Sequence, residues 1–373
     1  MAALIPKRTV RAIHLRGGIV NIDSHHAATY VVARLAGFSH HDAEIVAHAS
    51  EYVDDATNDG MIQFDNSASY HRICSAHRML DYRNVESVRS ARVWVPFHFL
   101  PGNGGLPEGQ DPPGGLVDKL ICRKDSPIAR AMIRTAITER NKPYGLHRLG
   151  IAAHVYTDTW AHQGFTGTIH PVNVASDLVN EKGEPDLAMS ERIQRYFLSK
   201  TVPLGHGCVL GQPDRPYLVW GYKNGRGETI HRNNPKDYVE AFEALYVAFR
   251  RYLLGNADAA VGGIPEPDRT VIEAMIRTFS DPSEHVRHKQ WLHVIAQGGF
   301  SFGKAELTYI GKGEGSWKHQ ALGTVKETDD EDDVFPYRPE FLHSNWKLFH
   351  DALKVHQFHV VHELLPRFGI CTA

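Results

Sequence analysis

Apolar residues in this chain recur mainly at intervals of three and four, the repeat of helices packed along one side. Asp23 and Ser24 are good capping residues for a first helix from about His25 to Ala36, which Gly37 ends. Ser39 caps a second, His40 to Asp55, closing near Asn58-Asp59-Gly60. A third is expected over about Ala68 to Leu80, and the Gly- and Pro-rich stretch Asn103 to Gly115 reads as a loop. Pro127 opens a helix to Arg140, and Pro143 opens a long one to about His162, stopped by Gly164. The pattern then changes period. Residues Leu218 to Arg232 alternate around Asn224-Gly225, a hairpin signal. Helical spacing returns at Asp237 to Leu254, Pro267 to Phe279, His285 to Ala296 and Ser344 to Leu365. Ser301 to Val334 is Gly-rich and then acidic through Asp329 to Asp333, which reads as a solvated loop.

The expected fold is therefore mainly α, a multi-helix bundle with a small inserted β-hairpin at about 216–234. Residues 1–20 form an N-terminal extension and 21–300 a helical metal-binding domain. Residues 301–343 form an irregular acidic loop, and 344–373 a C-terminal helix on the same domain. With 373 residues, 42% of them hydrophobic, the chain has ample material for a core. A net charge of −2 gives no strong nucleic-acid signal. No apolar run is long enough for a membrane span. Met1 to Gly17 lacks the apolar core of a secretory signal, so the expected location is cytoplasmic. The four cysteines are scattered, without a C-x-x-C pair. Histidine stands out, with 24 residues, and directs attention to metal chemistry.

His154, Asp158 and His162 are spaced by four, which places two imidazoles and a carboxylate on one helix face. Their neighbours Leu149, Ile151, Ala152, Val155 and Trp160 are apolar, so the helix is buried. Buried ionisable groups must be paired or metal-bound. His147, two turns back, is a weaker member. His25 faces the apolar side of the first helix, and His26 reads as solvent-facing. Asp54 and Asp55 lie together at a helix C-terminus, against the dipole, and a cation would account for them. His48, on the same helix, is a further candidate. His98 sits in the apolar run Trp94 to Pro101, and His206 between two glycines. Asp214 and His231 are weaker candidates. His285, His288 and His293, and the late group His356, His359, His362 and Glu363, read as polar positions of amphipathic helices. The stronger set exceeds one tetrahedral zinc, so two or three Zn2+ ions are expected, with iron or manganese as alternatives.

Several phrases resemble an uncharacterised bacterial family of unknown function. They are Asp23-x-His25, Arg34-Leu-Ala-Gly-Phe38, Tyr52-Val-Asp-Asp55, Pro96-Phe-His-Phe-Leu-Pro-Gly102, His154-x-Tyr-x-Asp-Thr-Trp-Ala-His-Gln-Gly-Phe165 and Gly205-His-Gly207. The order of candidate ligands is also similar to that of the zinc-dependent phospholipase C and P1-type nuclease group, all-α phosphoesterases with three zinc ions. That resemblance implies His25 as the early histidine, Asp54 or Asp55 as the helix-end acid and His98 as the next ligand. His154 and Asp158 would be the helical pair, with His162 and His206 following. The group also ligates a mature N-terminal tryptophan and a downstream His-x-x-x-Glu pair, and this chain matches neither, which points to two metals.

The resulting expectation is a metal-dependent hydrolase of phosphate esters acting on a small molecule. Asp158 would bridge the metals, and whichever of Asp54 and Asp55 is unligated would act as general base. Two other readings use the same residues: a non-phosphate metallohydrolase or iron-dependent enzyme, and a binding module with a structural metal.

Overall fold

Side-chain caps set many of the helix starts in the computed structural model, which describes residues 21–76, 87–186, 204–330 and 332–371. Ser39 Oγ accepts from the Asp42 amide, and Ser126, Asn233, Ser316 and Ser344 cap in the same way. A π-helical turn, Asp23–Ala28, runs directly into α1 (Thr29–Ala36), and α2 follows (His40–Asp55). Next come β1 (Gly60–Phe64), β2 (Ser69–Arg72), α3 (Ser87–Phe97), α4 (Leu116–Leu120), α5 (Pro127–Thr138) and α6 (Gly145–Ala161). The middle contributes β3 (Ala175–Val179), β4 (Val219–Asn224) and β5 (Thr229–Asn233). The last part comprises α7 (Asn234–Leu254), α8 (Glu266–Thr278), α9 (Glu284–Gln297), α10 (Trp317–Leu322), β6 (Val334–Phe335) and α11 (Asn345–Phe358). A second π-turn, His359–Leu364, and a short helical turn, Leu365–Arg367, end the helical part. The fold is mainly α, with two small three-stranded sheets among the described residues, ordered β2-β1-β6 and β3-β4-β5. Among the described residues, no helix is long and apolar enough to cross a membrane.

The hairpin at Asn224-Gly225 forms as β4 and β5, and β3 adds to its far edge. Over Ala68 to Leu80 the expectation of a helix is corrected. Ser69–Arg72 is a strand, antiparallel to β1, and residues 77–80 lie outside the described part. Ile62 and Phe64 of β1 bury one face, which selects the two-residue repeat there. The acidic run is only partly solvated. Asp330 and Asp333 pair with exposed Lys326, whereas Asp329 is buried between Arg72 and Lys318.

The main core lies between α1, α2, α5, α6, α7, α8 and α9, with Tyr30, Met132, Leu149, Leu245 and Phe249 fully enclosed. A second cluster joins the end of α2 to β1, α10 and α11, and a third packs the β3-β4-β5 sheet on Phe99 and Phe165. The central contact is α2 against α6. A side chain at Gly150 would put its Cβ 2.4 Å from the Val46 carbonyl and 2.7 Å from Ala49 Cβ. Glycine alone allows the two helices to cross this closely. That crossing brings the later turns of both helices, with Asp54 and His154, to the same place.

Asp23 anchors the first π-turn. Arg287 of α9 donates to both its carboxylate oxygens, at 2.7 and 2.9 Å, and each side chain is 2% exposed. This bidentate pair fixes the segment that carries His25.

Gly150→Val is expected to cost about 1–3 kcal/mol of stability, because the obstructing atom is backbone and the helices must separate. Urea unfolding measures this. A midpoint equal to that of the unaltered protein would contradict the tight crossing.

Candidate metal centre

Helix α6 supplies the hub. Its fixed repeat stacks His154 and Asp158 on one face, and His162 is the residue that ends the helix. These three are 0%, 2% and 5% exposed. Asp158 Oδ1 lies 3.2 Å from His25 Nε2. Its Oδ2 lies 3.5 Å from His98 Nδ1, 3.3 Å from His154 Nε2 and 3.5 Å from His162 Nδ1. Asp54, from the last turn of α2, is 3.7 Å from His98 Nδ1 and 3.9 Å from His154 Nε2. His25, Asp54, His98, His154 and Asp158 thus form one group, in which the His25 and His154 rings stack at 3.9 Å.

A second group adjoins it. Asp214 Oδ1 is 3.4 Å from His162 Nε2, and its Oδ2 is 3.5 Å from His206 Nε2. The loop before β4 carries His206 and Asp214, and Gly205 lets it press inward. A Cβ there would come within 2.3 Å of the Phe99 ring, which itself stacks on His162 at 4.6 Å. In three triads the potential donor atoms all lie within 4.8 Å of one another: His25/Asp54/His154, His98/His154/Asp158 and His162/His206/Asp214.

Backbone carbonyls fix three of the imidazoles. A carbonyl only accepts, so the ring nitrogen facing it carries the proton and the other ring nitrogen of the neutral ring is a lone pair. His98 Nε2 donates to Ser75 O at 2.9 Å, His162 Nδ1 to His98 O at 2.8 Å, and His206 Nδ1 to Leu210 O at 2.8 Å. Leu210 adopts φ +51°, a strained backbone for leucine, to present that carbonyl. Ser75 is held in turn by Val53 O, through its hydroxyl, and by Ala56 O, through its amide. The freed lone pairs of His98, His162 and His206 all point at carboxylate oxygens. A lone pair against a carboxylate is repulsive, and either a proton on the ring or a divalent cation between the two relieves it.

The electrostatics lead to the same point. Burial opposes the charge on Asp158, yet His162, His154 and His25 together hold its carboxyl well below the usual range. Burial would also lower His162, but Asp158 and Asp214 raise it to about 9. His154 is pushed down to about 3 by burial and by His25. Burial raises Asp54 to about 6 against the pull of His98 and His25. Burial opposes the charge on Asp214 as well, and His206 and His162 lower it. The pocket thus holds two buried carboxylates, Asp158 and Asp214, and the half-buried Asp54, and demands cationic charge in compensation. The C-terminal ends of α2, α3 and α6 carry Asp54, His98 and His162, so their partial negative charge adds to that demand.

His25, Asp54, His98, His154, Asp158, His162 and His206 therefore come together, and other candidates do not join them. Asp55 points the other way from Asp54. Its Oδ2 accepts from Tyr309 at 2.7 Å, and Lys312 lies 3.6 Å from its Oδ1. His26 is not at the surface; it is 1% exposed and bonds to His288 at 2.9 Å. His147 bonds to Asn345, and His48 stacks on Trp317. His231 lies on β5, exposed. His356 is fully buried and donates to Pro96 O, and His359 bonds to Thr135. Asp214 is the member the sequence weighed too lightly. Its distance of eight residues from His206, through a loop, leaves no periodic trace.

A family model described as a family of unknown function (DUF6765) matches residues 20–364. No curated protein and no solved structure matches.

Two groups of donors predict two separable binding events. Zn2+ titration by calorimetry should show both in the unaltered protein, one of them lost in Asp214→Ala and both retained in Asp55→Asn. Metal at a hundredfold excess over its dissociation constant should raise stability by about 2.7 kcal/mol, and chelation should reverse this. Equal metal uptake by Asp214→Ala and the unaltered protein would remove the second group.

Proposed function

We propose that this chain, which belongs to the DUF6765 family, is a metal-dependent hydrolase whose substrate is a phosphate ester. One observation carries the reading: two adjacent groups of imidazole and carboxylate donors share Asp158 and His162 as neighbours across a 3.5 Å contact. Adjacent ions suit displacement at phosphorus, where both the attacking and leaving oxygens need stabilising. The donors suit zinc best, with manganese and iron as alternatives. Bound there, the ions would supply Lewis acidity and a water acidic enough to act as a nucleophile near neutral pH.

The protein's own side chains divide the remaining work. Asp158 holds the two groups in register. His98, His162 and His206 keep their ring orientation through carbonyl partners, so little reorganisation is needed when charge develops. Asp54 has the most exposed side chain of the first group, at 14%, and marks the side from which a substrate approaches. Asp55 is engaged by Tyr309 and Lys312, and Asp54 belongs to the first donor group, so neither acid of the pair is left over as the unligated base. The likeness to the phospholipase C and P1-type nuclease group rests on the order of these residues alone, and no matched protein or structure adds to it.

Metal-loaded protein should hydrolyse bis(p-nitrophenyl) phosphate or p-nitrophenyl phosphate. Asp158→Ala and His154→Ala should each lose at least about a hundredfold in kcat/KM and most of the bound metal. Release of p-nitrophenol and elemental analysis give the two measurements. Full activity in Asp158→Ala would overturn the assignment. Turnover of p-nitrophenyl acetate in place of both phosphates would move the protein to the ester hydrolases.

A further inference from the structure

His162 and Asp214 of the second donor group come from distant parts of the chain, yet residues two apart in sequence hold both from outside. Arg232 lies in β5, and Asn234 opens α7 directly after it. The Asn234 amide still bonds to Leu218 O at 3.0 Å, so strand pairing extends through it. Alternation then turns both side chains to one face, where they are 4% and 0% exposed.

His162 leaves α6 as its non-helical end residue, with φ −92° and ψ 7°. Helix ends fray unless their last carbonyls find donors. Arg232 Nη2 donates to Trp160 O at 2.9 Å and to Ala161 O at 3.0 Å, and its Nη1 approaches Gln163 O at 3.5 Å. The carbonyls on both sides of His162 are thereby tied to one planar, pre-organised fork. Asp237 lies 3.5 Å from Arg232 Nε, so the buried charge is matched and the fork acts through its donors.

Asn234 treats Asp214 in the same way. Its Nδ2 donates to Gln212 O at 2.7 Å and to Arg215 O at 2.9 Å, with Pro213 O at 3.4 Å. Trp220 orients that amide, because its Nε1 donates to Asn234 Oδ1 at 3.2 Å, and β4 pairs Trp220 with Arg232. Every one of these bonds to the donor-bearing segments is to backbone. They set where His162 and Asp214 project from, and with it the 3.4 Å between His162 Nε2 and Asp214 Oδ1. His154 and Asp158 lie inside α6, where the contact with α2 holds them, so the first donor group does not depend on this clamp.

We propose that Arg232 and Asn234 are positioning residues, which together fix the geometry of the second metal group. The β4-β5 hairpin then serves that group, and the helical bundle serves the first. The inference rests on the reading of this pocket as a metal centre.

Zn2+ titration of the metal-free full chain by calorimetry gives one test. Arg232→Met and Asn234→Ala should each weaken the second binding event about tenfold and leave the first unchanged. Arg232→Lys, which keeps the charge without the fork, should fall between. Phe249→Leu, in the main core, should lower stability and leave both events intact. An unchanged second event in Arg232→Met and Asn234→Ala, or equal weakening of both events, would overturn the proposal. The other test needs no metal. In NMR of metal-free protein with isotope-labelled histidine, the His162 Nδ1–H that bonds to His98 O is identified by its loss in His162→Gln. It should exchange with solvent about tenfold faster in Arg232→Met. Unaltered exchange there also overturns the proposal. Faster exchange in a protein that takes up no Zn2+ would refute the metal reading alone. Arg232→Lys carries both tests if Arg232→Met does not fold.

Discussion

The carboxylate of Asp158 is the constraint on which the rest of this structure depends. It is 2% exposed, and four imidazoles surround it at 3.2 to 3.5 Å. A charge removed from water to that extent is tolerated only when matching charge and hydrogen bonds replace the solvent. His25, His98, His154 and His162 come from three different segments, so satisfying one side chain dictates where the first π-turn, the end of α3 and α6 must lie.

The surrounding fold is arranged to meet that demand. The missing side chain at Gly150 brings α2 against α6, and Ser75 ties the end of α2 to His98. Three helices end at the site and contribute their negative poles. The β3-β4-β5 sheet stands behind Phe99 and Phe165, and the loop that precedes β4 closes the second group with His206 and Asp214. The apolar clusters on either side keep water from screening these interactions, which is why modest distances carry large electrostatic effects.

The helical part of the site was legible in the sequence because a helix has a fixed repeat. Spacing by four sufficed to put His154 and Asp158 on one face, and the helix-end position of Asp54 and Asp55 was itself a signal. Spacing did not decide between those two. That choice rests on Tyr309 and Lys312, more than 250 positions away in sequence, and no local pattern records them. Asp214 was undervalued because loop geometry has no period. His26 was misread as solvent-facing, since its partner His288 lies on a helix that packs there only in three dimensions. The strand Ser69–Arg72 escaped notice because Tyr70 and Arg72 are the inward residues of its alternation, and neither is a plain hydrophobe. The parallel pairing of β1 with β6 joins ends of the chain that no window of sequence compares. Pro96 lies within α3 and concealed that helix.

The Asp23–Arg287 pair has a bearing on biosynthesis. His25 is held by an anchor whose second half is encoded some three-quarters of the way along the message. During translation the nascent chain must therefore keep His98, His154 and their carboxylates waiting until α9 has left the ribosome. Contacts of such long sequence separation are slow to close. Until they do, the imidazoles gathered around Asp158 lack their final geometry, so the donor groups take shape only late in synthesis.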